Sequence, residues 1–334
     1  MADLGFSSET FTTDFYNTIN KRSDWDRILS EEYPYIFWPV KPFLAFLEGI
    51  FRYDIFFLSF QGFFLGNTPL RGLQAFLLKL AGKNIVLIPY GGDSYAYRSI
   101  RSTCLIHGLL MSYPQAAKTQ DKISHDVRYW TRHADVVIPG FAGPDGFGRW
   151  DVLIPSQLMI DLNLWQSSQK QSSADGKNAE VVIAHAPNHR GFKGTEFVVN
   201  AIEQLASKGF KVRLVLIEKL QNDIVRKLLS EEVDILVEQL VFTGHGLNGL
   251  EGMASGVVTI SNLDDDSYIL PMRRWSYFDE CPLVSATPEN LVEVLRKLVT
   301  RPELRKKLGK AGRQYVEKYH GLDSAQYLFT NVIE

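Results

Sequence analysis

Apolar residues along this chain fall into two rhythms that take turns. From Pro42 to Ile50 they recur at helical spacing (Phe43, Phe46, Leu47, Ile50), and YDIFFLSF directly after reads as a buried strand. The alternation repeats. RGLQAFLLKLAG predicts a helix ending at Gly82, NIVLIPYGGD a strand running into a glycine turn, ISHDVRYWTRHA a helix, DVVIPG a strand and DVLIP another short strand. QSSQKQSSADGKN, starting at Gln166, is polar and aperiodic, as a flexible linker is. Beyond it the rhythm restarts: EVVIAHAP, KVRLVLIE, DILVEQLV and VVTISN predict strands, with GTEFVVNAIEQLASKG, NDIVRKLLSEE and LNGLEGMASG as helices between them. Pro288 to Tyr319 is helical with a charged outer face, and Pro302 opens its second helix where proline is tolerated.

Continuous apolar strands alternating with amphipathic helices imply parallel sheets covered on both faces. The expected fold is therefore α/β, with two Rossmann-like domains whose parallel sheets face each other across a cleft. The expected boundaries are 1–165 for the first domain, 166–179 for the linker and 180–320 for the second domain. A C-terminal helix over 321–334 would pack back on the first domain. The first thirty or so residues show neither the strand nor the tight glycine turn that usually opens such a domain, so the first strand unit is missing or divergent.

A length of 334 residues suits two domains of roughly 150 residues each. The net charge of −2 offers no clustered basic excess for a nucleic-acid partner. Cys104 and Cys281 stand far apart without CxxC spacing, which supports neither a disulfide framework nor a structural zinc site and suits a reducing cytoplasm. MADLGFSSETF lacks the basic and apolar regions of a signal peptide. The apolar region from Tyr33 to Phe64 is interrupted by Lys41, Glu48, Arg52 and Asp54 before it reaches the roughly 18 to 20 uncharged residues of a spanning helix. Its aromatic residues suit either core packing or rest on a membrane surface.

In parallel sheets, ligands bind beyond the carboxyl ends of the strands, so the loops there carry the candidate chemistry. After VVIA comes a turn with Asn188, Arg190 and Lys193, and then Gly194 and Thr195 begin a helix. A helix N-terminus with a guanidinium and an ammonium beside it makes a site for a dianionic phosphate; the alternative is a solvated loop with incidental cations. TGHGLNGLEGMASG places a glycine-rich turn, Thr243 to Gly246, before a helix carrying Glu251. That carboxylate is either an acceptor for the vicinal hydroxyls of a ribose or a surface residue. In PYGGDSY, Gly91 and Gly92 would let the backbone approach a ligand, and Asp93 is either a base or hydroxyl acceptor or a turn residue. NLDDDSYILPMRRW reads as a solvated loop, since consecutive aspartates point in different directions and no second acidic cluster completes an oxygen cage. His107, His125, His133, His185, His189 and His245 show no metal-ligand spacing.

Taken together, HAPNHRGFKGTEFVVNAIEQL, VDILVEQLVFTGHGLNGLEGMASGVVTIS and PENLVEVLRKLVTRPELRKKLGKAGRQYVEKYHG resemble the nucleotide-sugar-binding domain of retaining glycosyltransferases of the GT-B fold. The similarity is to the family 4 group that builds bacterial surface polysaccharides. FRYDIFFLSFQG, LAGKNIVLIPYGGDSY, HADVVIPG and VLIPSQLMIDLNLW are similar, more loosely, to its acceptor domain and the stretch before the crossover. The resemblance implies that Arg190 and Lys193 hold the donor diphosphate and stabilise it as it leaves, although many members carry their Arg where this chain has Asn188. Glu251 matches the second of the family's paired glutamates, which typically holds the ribose, while Thr243 stands at the first. Gly194, Gly244, His245, Gly246 and Leu247 complete the implied donor site. Tyr90 replaces a family His and joins Gly91 and Gly92 on the acceptor side, with Asp93 as a further catalytic candidate.

The implied activity is transfer of a sugar, hexosyltransferase-like, from a UDP or GDP type nucleotide sugar to a glycan or lipid-linked acceptor, without metal or other cofactor. The implied location is cytoplasmic, with peripheral contact at the inner face of the cytoplasmic membrane. Cations aimed at the departing phosphate would stabilise the transition state more than the ground state. A catalytically degenerate scaffold subunit of a polysaccharide assembly complex and a nucleotide-sugar epimerase on the same fold are the alternatives.

Overall fold

The computed structural model describes residues 5–15, 20–89, 91–141, 144–167 and 173–333. In chain order, β1 (Phe11–Thr12) and β2 (Arg27–Ile28) precede α1 (Lys41–Arg52), β3 (Ile55–Leu58), α2 (Gln74–Leu80) and β4 (Asn84–Leu87). Then follow α3 (Thr103–Ser112), α4 (Pro114–Lys118), α5 (Gln120–His133) and β5 (Val136–Val137). The second half holds β6 (Val181–His185), α6 (Arg190–Lys193), α7 (Thr195–Ser207), β7 (Val212–Leu216), α8 (Asn222–Glu231), β8 (Ile235–Thr243) and α9 (Leu247–Ala254). It ends with β9 (Val258–Asn262), α10 (Asp266–Trp275), β10 (Val284–Ser285), α11 (Leu291–Val299), α12 (Pro302–Tyr319) and α13 (Leu322–Ile333).

The chain forms two compact units. One comprises Met1–Ile100, Thr119–Leu153 and Gln326–Glu334. Its parallel sheet has the order β3-β4-β5, over a core in which Phe46 of α1, Phe56 and Leu58 of β3, Leu78 of α2, Ile85 and Leu87 of β4, and Val127 and Trp130 of α5 interlock. On β3 the alternate residue, Phe57, meets Phe329 of α13 edge to face at 5.7 Å. The opening residues contribute a small parallel pair, β1 with β2, in register at Phe11 and Arg27, with Arg27 N–H donating to Thr10 O at 3.0 Å and Leu29 N–H to Thr12 O at 2.8 Å. DVLIP is not a strand: the Asp151 carboxylate accepts from Val137 N–H at 2.8 Å while Asp151 N–H donates to Val137 at 3.0 Å. A side chain thus takes the ladder position at the end of β5, and Arg149 ties that carboxylate down at 2.8 Å.

The other unit comprises Arg101–Lys118 and Ile154–Ala325. Its five parallel strands have the order β10-β9-β8-β6-β7, so β6 and β8 lie in the middle and every residue of β6 is buried. That burial on both faces explains the unbroken apolar run. Val198, Ala201, Ile202 and Leu205 of α7 and Leu291, Leu295 and Leu298 of α11 fill one core with the strands. NLDDDSYILPMRRW is not a loop throughout. Asp265 caps α10 by accepting from Ser267 N–H, and the helix continues past Pro271 to Trp275. The segment 101–118, for which the chain's periodicity suggests no element, is helical as α3 and α4. Gly108 of α3 sits against Val241 and Phe192, and Ser112 Oγ accepts from Phe192 N–H at 2.8 Å.

Candidate functional site

Strand order in the five-stranded sheet reverses direction between β6 and β8, which makes their carboxyl ends the switch point where ligands bind in open α/β sheets. β6 ends in His185, wholly buried, whose Nδ1 donates to the Val237 carbonyl at 2.7 Å and whose Nε2 lies 2.9 Å from Thr195 Oγ1. The carbonyl can only accept, so Nδ1 carries the proton and Nε2 accepts from the hydroxyl. Burial holds this imidazole down to about 4 and keeps it neutral. It ties the end of β6 to β8 and to the first residue of α7.

The turn after β6 is itself helical: Arg190–Lys193 form α6, and Gly194 breaks it from α7 at a φ of 77°. That left-handed step favours glycine, and a Cβ there would come 3.0 Å from Leu240 Cβ. The break turns Lys193 inward. Its Nζ donates to Gln239 Oε1 at 2.7 Å and lies 3.5 Å from Glu238 Oε1, with Lys193 buried to 8% exposure. Arg190 points elsewhere. Its guanidinium is exposed, paired with Glu218 at 3.0 and 3.1 Å and with Glu196 at 3.0 Å. Asn188 is exposed on the same turn.

β8 carries the second half of the site through an irregularity. Its ladder to β9 runs regularly to Val237, then shifts register at Gln239 and again before Thr243, leaving residues 240–242 outside the pairing. Asn262 Nδ2 donates to Leu240 O at 2.8 Å, and Gly244 N–H to Asn262 O at 2.9 Å, which satisfies the displaced backbone. Gln239 Nε2 donates to Gly244 O at 3.0 Å, so one amide joins Lys193 to the glycine turn. Glu238 is fully buried; its Oε1 accepts from Gly246 N–H at 2.6 Å. Thr243 is buried at the end of β8, His245 is buried beside Phe278 with ring centroids 5.9 Å apart, and Leu247 is exposed at the start of α9. Burial holds the His245 imidazole down to about 3.

One turn into α9 lies Glu251, buried to 7% and accepting from Asn248 Nδ2 at 3.2 Å. Burial pushes its carboxyl up to about 7; the Asn248 amide opposes the rise, the charge of Glu238 adds to it, and Lys193 lowers it. Glu238 and Gln239 thus bridge Lys193 to Gly244 and Gly246, and Glu251 lies close enough to feel the charges of Lys193 and Glu238. Those two bridging residues escape a reading by periodicity, because a polar pair inside DILVEQLVF counts there as strand interior; two adjacent polar residues, one of them charged, in an otherwise apolar run are the available signal.

In the other unit, Gly91 adopts a φ of 136°, Gly92 is half-buried, and the Asp93 carboxylate accepts from Phe60 N–H at 2.9 Å just past β3. Tyr90 lies outside the described residues. Among the described residues no group of three or more His, Cys, Asp or Glu side chains is arranged to hold a metal ion.

This is the GT-B class of α/β fold, with two Rossmann-like units built on parallel sheets. The chain is similar to Anabaena Alr3699/HepE in complex with UDP, at 12% identity over 88% of this chain and 81% of that chain, with a TM-score of 0.55. To the same protein in complex with UDP-glucose it is 11% identical over 88% and 81%, with a TM-score of 0.52. To sucrose-phosphate synthase (tll1590) from Thermosynechococcus elongatus it is 15% identical over 88% of this chain and 76% of that chain, with a TM-score of 0.57. No protein-family model matches the chain, and no curated protein matches it in sequence. At these identities the shared property is the fold.

Proposed function

We propose that this protein is a glycosyltransferase that moves a sugar from a nucleoside-diphosphate donor to a glycan or lipid-linked acceptor in cell-surface polysaccharide biosynthesis. The observation that carries the reading is that a buried lysine, Lys193, and a buried carboxyl, Glu251, which feels its charge, both lie about the Gly244–Gly246 turn at the carboxyl ends of β6 and β8. Lys193 would take the diphosphate and meet the negative charge that grows on it as the anomeric bond breaks. Loss of one such preorganised donor typically costs about 3 kcal/mol of barrier. Two ribose hydroxyls would donate to Glu251 and restore the ionised form that burial disfavours. Arg190 would join by exchanging Glu218 and Glu196 for phosphate oxygens.

Similarity in fold to HepE, solved with UDP and with UDP-glucose, supports a UDP rather than a GDP donor and a hexose as the transferred sugar. Retention, metal independence and kinship with the family 4 group belong to the same reading, with protein cations balancing the leaving group. Asp93, Gly91 and Gly92 would serve the acceptor side. Peripheral contact with the inner face of the cytoplasmic membrane is supported by the exposed aromatics Tyr35 (98%), Phe37 (76%) and Phe51 (82%) beside Trp38. No described helix is long and apolar enough to cross a membrane.

A second reading, a degenerate binding subunit, draws on Thr243 in place of a carboxylate and on the engagement of Arg190 by two glutamates. Calorimetric titration with UDP and GDP, beside UDP release from UDP-glucose, tests both. Binding weakened by Lys193→Ala and by Glu251→Ala, together with turnover, is the expected result. Binding without turnover of any donor favours the subunit, and no binding of either nucleotide overturns the donor site.

A further inference from the structure

Glu238 occupies an unusual place for a carboxylate. It has no exposed surface, and Lys193 at 3.5 Å is the cation beside it. One oxygen accepts from Gly246 N–H at 2.6 Å; the other, Oε2, faces the Gly249 backbone without a well-aligned hydrogen bond. A buried carboxylate in this position keeps its charge chiefly through its counter-ion. A diphosphate arriving at Lys193 competes for the same ammonium and brings further negative charge.

We propose that binding of a nucleoside diphosphate takes Lys193 over from Glu238 and that the Glu238 carboxylate then takes up one proton from solvent. The inference rests on the reading of Lys193 as the diphosphate-binding cation. No covalent bond other than the new O–H forms, and Oε2, the oxygen without a well-aligned partner, receives the proton.

The groups facing Glu238 narrow the choice of proton acceptor. From α6 comes Lys193; from α9, Glu251; from the glycine turn, His245; from the segment before β10, Cys281; and His185 on β6 lies close enough to feel Lys193. Burial holds the two imidazoles neutral, at about 3 and about 4, and pushes the Cys281 thiol up to about 12. Between pH 7 and 8.5 none of these three changes charge. Glu251, whose carboxyl stands at about 7 in the free chain, releases a proton when ribose hydroxyls donate to it, the opposite sign, and is already ionised by pH 8.5. Uptake is left to Glu238, itself shifted upward by burial against the pull of Lys193 and Gly246 N–H.

The test is calorimetric titration of the full chain with UDP and with GDP between about pH 7 and 8.5, above the secondary phosphate ionisation near 6, in buffers of different ionisation heat. The expected result is uptake of up to one proton per nucleotide toward pH 8.5, where Glu251 is ionised throughout, with affinity falling there by up to about tenfold per pH unit. Glu238→Gln keeps an oxygen for Gly246 N–H and removes the competing charge. It is expected to bind UDP several-fold more tightly at the alkaline end and to exchange no proton there. Binding to the wild-type chain without proton uptake, or uptake undiminished in Glu238→Gln, overturns the inference and leaves the diphosphate site standing. Failure of both nucleotides to bind the wild-type chain overturns the diphosphate reading itself.

Discussion

Lys193 and Gln239 meet across 2.7 Å, and the same Gln239 amide donates its other end to the Gly244 carbonyl at 3.0 Å. A cation from α6 is thereby indexed to the glycine turn after β8. Gln239→Leu has similar volume but leaves Lys193 one acceptor short and Gly244 one donor short. Leaving a buried group unsatisfied costs about 1–3 kcal/mol. The variant is expected to lose that much in urea unfolding and to bind UDP at least several-fold more weakly in calorimetry; unchanged affinity would show that the amide does not position Lys193.

Gly249 is required by Glu238 rather than by its own backbone angles. A Cβ at position 249 would stand 2.2 Å from Glu238 Oε2 and 3.1 Å from His245 Cβ. Overpacking of this kind costs about 1–3 kcal/mol, so Gly249→Ala is expected to lower the urea midpoint accordingly. Shortening the opposing side chain removes the clash. Glu238→Ala combined with Gly249→Ala should therefore be more stable than the sum of the two single losses, with a coupling of about 0.5–3 kcal/mol. Strict additivity of the three midpoints would contradict the contact.

Stability against pH carries two opposed slopes. Glu251 has its carboxyl at about 7 when folded against an ordinary 4.5, so between those values the folded chain holds the proton that the unfolded chain has lost. Its contribution falls as pH rises through that window, by on the order of 3 kcal/mol in all. His185 and His320, both near 4, and His245, near 3, are held below an ordinary 6.5. Their contribution is complete above about 6.5 and is lost as pH falls. Glu251→Gln isolates the first slope: relative to wild type it should gain stability steadily from about pH 4.5 to about 7 and not beyond. Unfolding free energies at four pH values across that range measure the difference, and a flat difference would mean that Glu251 is not shielded from water.

What the residue pattern revealed, and what it hid, follows from where specificity resides. β6, α7 and α8 are legible because burial on both faces of a strand, or on one face of a helix, writes itself directly into the spacing of apolar residues. Helix α3 was hidden because TCLIHGLLMS is apolar nearly all round, and α10 because three aspartates and Pro271 resemble a loop. DVLIP looks like a strand until Asp151 caps the end of β5 with its side chain. In the site, Lys193 follows β6 and Glu251 lies in the helix after β8, positions just beyond strand ends that sequence alone can mark as candidates. Glu238 and Gln239 enter only through the register shifts of β8, and register is decided by tertiary partners. The outward pairing of Arg190 with Glu218 is likewise a contact between residues 28 apart that no local pattern announces.

Helix α3 bears on the site through α6. A Cβ at Gly108 would stand 2.7 Å from Val241 Cγ1, Met111 lies against Gly191, and Ser112 Oγ holds the Phe192 amide, one residue from Lys193. Tyr113 adds a ring contact of 4.2 Å to His189. Gly108→Ile would drive a branched side chain into Val241 and lift α3 from β8, removing the acceptor of the Phe192 amide. Hydrogen exchange over residues 187–194 should then accelerate, while the β6 amides keep their protection, because the strand ladder does not depend on α3. Ser112→Ala removes one hydrogen bond, about 1 kcal/mol, and should speed exchange at Phe192 by a few-fold without moving the helix. If both variants accelerate that exchange and also weaken UDP binding, α3 is part of what holds Lys193 in place. Faster exchange with unchanged UDP affinity would mean that Gln239 and the Gly194 turn suffice on their own.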